Sequence, residues 1–171
     1  KEDYLFKQTG KAIELRDYQE EALKNLEDMR ANGDSIALLY HATGTGKTVT
    51  AVEDAKSVGK RTLFIAHTKE LITQAKEKFD LLWKDIDTGL FMGDIKEKEA
   101  FVVCSSIQSI SENLEQFNKD DFKYLIIDEA HHATANSYGK VLDYFEPEFT
   151  LGLTATPERN DGENILKDRK S

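Results

Sequence analysis

Cysteine is almost missing from this chain. Of 171 residues only Cys104 is one, so no internal disulfide can form. Cys104 lies in an apolar run and reads as a core thiol in a reducing compartment. Long hydrophobic runs are missing too. No stretch approaches the ~20 apolar residues that span a bilayer, and the N-terminal region carries no signal-peptide segment. The expectation is a cytoplasmic protein with no membrane association. Positive charge is also short: Lys and Arg number 23 against 32 Asp and Glu, a net charge of −9. A stand-alone nucleic-acid binder is usually basic, because its affinity comes from neutralising phosphates. The acidic balance argues against tight nucleic-acid binding by this chain alone. It leaves room for a local groove that works with a second, more basic part. Internal repeats and low-complexity segments are absent as well.

What is present is a one-domain length with ordinary apolar content and alternating strand and helix patterns. Residues 1–11 are polar and aperiodic. Residues 17–29 carry apolar positions at helical spacing, with Asp17 as N-cap and Asn32-Gly33 as the stop. Strands are expected at 35–40, 62–66, 88–92, 101–104, 124–127 and 149–153. Helices are expected at 47–57, 69–83, 106–115 and 138–145. Buried strands separated by helices imply a three-layer α/β/α domain with a mostly parallel sheet. Ligands in such sheets bind beyond the carboxyl ends of the strands.

Two strings stand at such ends. Ala42-Thr43-Gly44-Thr45-Gly46-Lys47-Thr48 follows the first strand. Its glycines permit close approach of a phosphate, its amides point inward, and the helix behind adds its positive end. Lys47 would reach the β- and γ-phosphates of a nucleotide, and Thr48 would offer its hydroxyl to Mg²⁺. Asp128-Glu129-Ala130-His131 follows the strand at 124–127. A carboxylate there is expensive to bury unpaired, and a hydrated Mg²⁺ beside Thr48 would offset that cost. Glu129 is placed to polarise an attacking water. The pair His131-His132 has no further Cys or His at ligand spacing, so zinc is not expected.

Together these strings resemble the first RecA-like motor domain of superfamily 2 helicases and translocases. More narrowly they are similar to the DEAH-type branch with type I and type III restriction translocases and XPB-like DNA helicases. The departure at His41, where the general phosphate-loop pattern has glycine, is usual in that superfamily. The resemblance covers most of the chain and implies the following roles. Leu15-Arg16-Asp17-Tyr18-Gln19 matches the segment whose glutamine reads adenine. Gln19, Thr43, Gly44, Thr45, Gly46, Lys47 and Thr48 would bind ATP, with Mg²⁺ on Thr48 and Asp128. Lys47, Asp128 and Glu129 would be catalytic. His67, Thr68 and Lys69, with Ser105, Ser106 and Gln108, match motifs that hold a nucleic-acid backbone. The family often has proline just before its threonine, where this chain has Ala66-His67. Thr154-Ala155-Thr156-Pro157 matches the motif coupling hydrolysis to movement, with Thr154 and Thr156 facing His131 or Glu129.

The implied organisation is an arm at 1–14, an ATP-binding RecA-like phosphate-loop NTPase domain at 15–159, and the start of a linker at 160–171. A second motor domain, which in the family carries arginines that complete the ATP site, would lie beyond. The expected function is an ATP-dependent motor on nucleic acid, duplex DNA being favoured. The chain alone is expected to bind nucleotide and turn it over weakly. The alternative is a nucleotide-responsive interaction module that binds ATP as a switch. A small-molecule kinase is disfavoured by the adenine-type segment upstream and by Thr154-Ala155-Thr156 downstream.

Overall fold

The computed structural model describes residues 12–40, 44–128 and 135–154. In chain order these form α1 (Ala12–Ala31), β1 (Ile36–Tyr40), α2 (Gly44–Val58), β2 (Thr62–Ala66), α3 (Lys69–Leu82), β3 (Thr88–Met92) and β4 (Ile95–Lys96). They continue with β5 (Val102–Ser106), α4 (Ile107–Glu112), a 3-10 turn (Leu114–Gln116), β6 (Tyr124–Asp128), α5 (Ala135–Tyr144) and β7 (Phe149–Thr154). The seven strands make one sheet in the order β1-β7-β6-β2-β5-β3-β4. Every described pairing is parallel except the β3–β4 hairpin. The three-layer expectation holds.

The central strands are buried at every position, as a sheet covered on both faces requires. Alternation sorts their side chains into two cores. Phe64, Ala66, Tyr124, Ile126, Leu151 and Leu153 face one way, with Ala51 and Ala55 of α2 and Phe79 of α3. Leu63, Ile65, Leu125 and Ile127 face the other, with Phe117, Phe122, Tyr138 and Phe145 around α4 and α5. The first core uses alanines where helices come close. The second is filled by rings, with Phe117 edge-on to both Phe91 and Phe145.

Helix ends follow from the residues that stop them. Gly33 (φ 93) and Gly59 (φ 74) occupy the left-handed region just past α1 and α2, a conformation that costs other residues a clash at Cβ. Other boundaries depart from expectation. Asp17 does not cap α1, which starts at Ala12, because Ala12, Glu14, Leu15 and Arg16 are good helix formers that extend it upstream. The helix expected over 106–115 breaks at Asn113, whose amide donates to the Ser109 carbonyl at 2.8 Å and competes with the helical ladder. The hairpin strand β4 was not anticipated. Its turn, Gly93-Asp94, is of a two-residue type that signals a hairpin. The expectations for residues 1–11 and 160–171 lie outside the described residues.

Candidate nucleotide and nucleic-acid site

Three adjacent strand ends build the first half of the site. Tyr40, last in β1, is paired with Thr154, last in β7. Asp128, last in β6, is paired with Leu153. Tyr40, Thr154 and Asp128, the strand-end residues at the three strings, therefore stand side by side at one edge of the sheet, with β7 in the middle. The outer two strands are about 10 Å apart, twice the usual strand spacing.

Alternation then assigns faces. Asp128 shares the parity of Tyr124 and Ile126, which pack in the core that contains α2. Thr154 shares the parity of Thr150 and Gly152, the other face. The carboxylate of Asp128 thus leaves the sheet on the side of the helix that carries Lys47 and Thr48. Gly44 opens α2, Gly46 is buried, and Thr48 is half-buried in the first turn. Thr50 ties that turn down by donating to the Gly46 carbonyl at 2.9 Å.

Asp128 is 2 % exposed. An ionised carboxylate so deep needs compensating charge or hydrogen bonds. A threonine hydroxyl and a carboxylate on one face form the hard-oxygen set that Mg²⁺ takes, so the residues present fit that ion. Tyr138 of α5 is buried within the electrostatic reach of Asp128. Burial first, and that negative charge second, hold its phenol well above the usual 10.0. The Tyr138 hydroxyl has no hydrogen-bond partner among the described residues.

Gln19 lies in α1, and its side-chain amide nitrogen is buried without a hydrogen-bond acceptor among the described residues. The helix is held to α2 from its other end. Arg30 forks onto Asp54 with contacts of 2.6 and 2.8 Å, and its guanidinium stacks 4.9 Å from the Phe149 ring. Asp54 also accepts from the Tyr124 hydroxyl.

The second half of the site stands on the next strands. Ala66, last in β2, is paired with Ser106, last in β5, so His67, Thr68 and Lys69 sit beside Ser105 and Ser106. Thr68 caps α3 by accepting from the Leu71 amide at 3.1 Å, and Ser106 caps α4 by accepting from the Ser109 amide at 3.0 Å. Each hydroxyl keeps its own proton to donate. His67, Thr68, Lys69 and Gln108 are exposed. Ser105 corrects the expectation. It is fully buried and donates to the Ser106 carbonyl at 2.9 Å, because its parity turns it into the ring-rich core. Its hydroxyl is turned away from solvent.

The β3–β4 hairpin adds a wall that sequence reasoning missed. Met92, Gly93, Asp94 and Ile95 join Lys69, Ile72 and Ser106 around a cleft of about 320 Å³. The Gly93-Asp94 turn was the signal that could have found it. The remaining candidates, Thr43, Glu129, His131 and Thr156, lie outside the described residues.

The fold is that of a RecA-like domain, of the kind that forms the first motor domain in superfamily 2 helicases. The chain belongs to the family described as type III restriction enzyme, res subunit, whose model matches residues 12–159. It is 36% identical over 155 residues to the DNA 3'-5' translocase XPB2 of Sulfurisphaera tokodaii, covering 90% of this chain and 33% of that protein. It is 31% identical to the type I restriction enzyme EcoAI endonuclease subunit of Escherichia coli, covering 92% of this chain and 21% of the other. The Pyrococcus furiosus Hef helicase domain superposes with a TM-score of 0.69 at 25% identity, over 88% of this chain and 36% of that one. The Sulfolobus solfataricus SWI2/SNF2 ATPase core, solved with double-stranded DNA, superposes with a TM-score of 0.70 at 20% identity, over 89% and 34%. The chain spans about a quarter to a third of the length of the first curated relatives it matches.

Proposed function

We propose that this domain is the ATP-binding lobe of a DNA translocase or helicase, hydrolysing ATP with Mg²⁺ to drive movement along duplex DNA. The observation that supports this reading is the register of β1, β7 and β6, which brings the end of the strand before the phosphate loop level with Asp128 at one edge of the sheet. In this reading the α2 amides and Lys47 hold the triphosphate, and Gln19 meets the adenine edge with its acceptor-seeking amide. Thr48 and Asp128 would hold Mg²⁺, which when bound neutralises charge developing on the β- and γ-phosphates. Glu129 orients the attacking water and takes its proton. Thr154 and Thr156 report that event from the neighbouring strand end, with His131 as partner.

His67, Thr68, Lys69, Ser106 and Gln108 would grip a phosphate backbone, which carries no sequence information. The names of relatives, a DNA 3'-5' translocase among them, support DNA as the track. A second motor lobe in cis would close over the nucleotide and supply arginines. Such an arginine is worth about a thousandfold or more in rate, so this chain alone should bind ATP and turn it over weakly.

The test is steady-state ATPase of the complete protein, with and without duplex DNA, single-stranded DNA and RNA, and with Glu129→Gln as control. Stimulation by duplex DNA that the variant loses is expected. ATP binding with no stimulation by any nucleic acid would sink the motor reading in favour of a nucleotide switch. Vigorous turnover by the 171-residue chain, lost in Lys47→Ala, would contradict the dependence on a second lobe.

A further inference from the structure

Among the described residues, the deepest charged group outside the site is Asp54, at 1 % exposure. It stands near the end of α2, far from the phosphate loop, and three elements converge on it. Arg30 of α1 makes a two-pronged ion pair, Tyr124 at the start of β6 donates its hydroxyl, and Phe149 at the start of β7 stacks beneath the guanidinium. Nothing in the proposed chemistry uses these groups.

Their place in the fold gives them a purpose. α1 packs against α2, and the pair joins a residue near the carboxyl end of one helix to a residue near the carboxyl end of the other. Gln19 lies about 16 Å of helix before Arg30, and Gly44 about 15 Å before Asp54. Counted back along each helix from the Arg30–Asp54 pair, Gln19 and Gly44 thus lie at nearly the same height. Sliding α1 by one turn would shift Gln19 by about 5.4 Å, more than a hydrogen bond tolerates.

A fork of two short hydrogen bonds has one geometry. Apolar packing around Leu26 and Ala55 is less discriminating, because such side chains repack at neighbouring registers. A buried pair of this kind is well suited to fixing register.

We propose that the Arg30–Asp54–Tyr124 cluster is a positioning device that holds Gln19 level with the phosphate loop, so that discrimination of adenine from guanine depends on it. This inference rests on the reading of Gln19 as the adenine contact. Arg30 and Tyr124 touch neither base nor phosphate; they act through the placement of α1.

The experiment measures affinities of the chain for ATP, GTP and inorganic tripolyphosphate, with thermal melting to follow folding. The variants are Gln19→Ala, Arg30→Lys, which keeps the charge and loses the fork, and Tyr124→Phe. Expected is a wild-type preference for ATP over GTP that Gln19→Ala abolishes. Arg30→Lys should reduce the preference several-fold while tripolyphosphate affinity stays unchanged, since that probe has no base. A ratio that survives in Arg30→Lys but falls in Gln19→Ala overturns the positioning role and leaves the adenine contact standing. A ratio untouched by Gln19→Ala removes the adenine contact and this inference with it. Equal loss of all three ligands in folded Arg30→Lys marks a general structural role and also overturns the proposal. Should Arg30→Lys fail to fold, the same ratio in Tyr124→Phe decides.

Discussion

Two buried tyrosines, one on each face of the sheet, divide this molecule into its fixed and its functional parts. Tyr124 begins β6 and packs in the alanine-lined core; its hydroxyl is donated to Asp54, which Arg30 neutralises. Tyr138 packs in the ring-lined core beside the other end of β6; its hydroxyl has no partner among the described residues, and it lies in the field of Asp128. A folded protein that leaves a buried hydroxyl unmatched forgoes a bond it could have made. The amino end of β6 is thus closed by a satisfied polar cluster. At its carboxyl end a buried hydroxyl with no partner among the described residues lies in the field of the carboxylate that the proposed chemistry uses. Rigidity is spent where helices must keep register, and polar capacity is kept where ligands arrive.

Breaking the satisfied side should produce the largest effect. Arg30→Ala strands Asp54 in the core with only a tyrosine hydroxyl for company. The expected loss is about 3–5 kcal/mol, the usual result of removing one partner of a buried pair. Tyr124→Phe leaves the ion pair and removes one hydrogen bond to a charged group, so about 1.5–3 kcal/mol is expected. Urea unfolding of both variants checks the order. Equal, small losses would mean that α1 is held by packing alone.

The next effect sharpens the comparison with pH. Burial, then Asp54, push the Tyr124 phenol well above its usual 10.0, and burial pushes up Tyr138 and the Cys104 thiol. Each group is a raised acid: the native state keeps its proton while the unfolded chain, from about pH 9–10 upward, gives it away. Below that range their contribution is constant. Above it the unfolded state binds fewer protons than the native one, so stability falls as pH rises, by up to about 1.4 kcal/mol per pH unit per group. Denaturation midpoints between pH 8 and 11 should decline, and less steeply in Tyr124→Phe. A flat profile would show that water reaches these groups.

The parts of this fold that local chemistry dictates were legible in the chain. The glycine-lysine string and the Asp128 string each follow an apolar run, and a strand end followed by such residues has one natural placement in an α/β sheet. Lateral order was not legible. Nothing local to Phe149–Thr154 says that β7 slides between β1 and β6, yet that insertion is what aligns Tyr40, Thr154 and Asp128. The pairing of Arg30 with Asp54 was not legible either, because it spans 24 positions and exists only after packing. The strand expected to stop at Cys104 runs on to Ser106. One more turn of the pleat sends Ser105 inward and Ser106 toward α3.

The smallest expected effect is the most discriminating one. Tyr138→Phe removes a hydroxyl that makes no bond among the described residues, and the ring that fills the core remains. Deleting a buried polar group that is unmatched relieves its desolvation cost, so stability should be unchanged or higher by up to about 1 kcal/mol. The same substitution at Tyr124 goes the other way, and that opposition in sign is the comparison at its sharpest. A loss of more than about 1 kcal/mol in Tyr138→Phe would show that the hydroxyl serves the resting fold. If stability holds while Mg²⁺-dependent nucleotide affinity falls, the hydroxyl serves the ligand-bound state and not the resting fold.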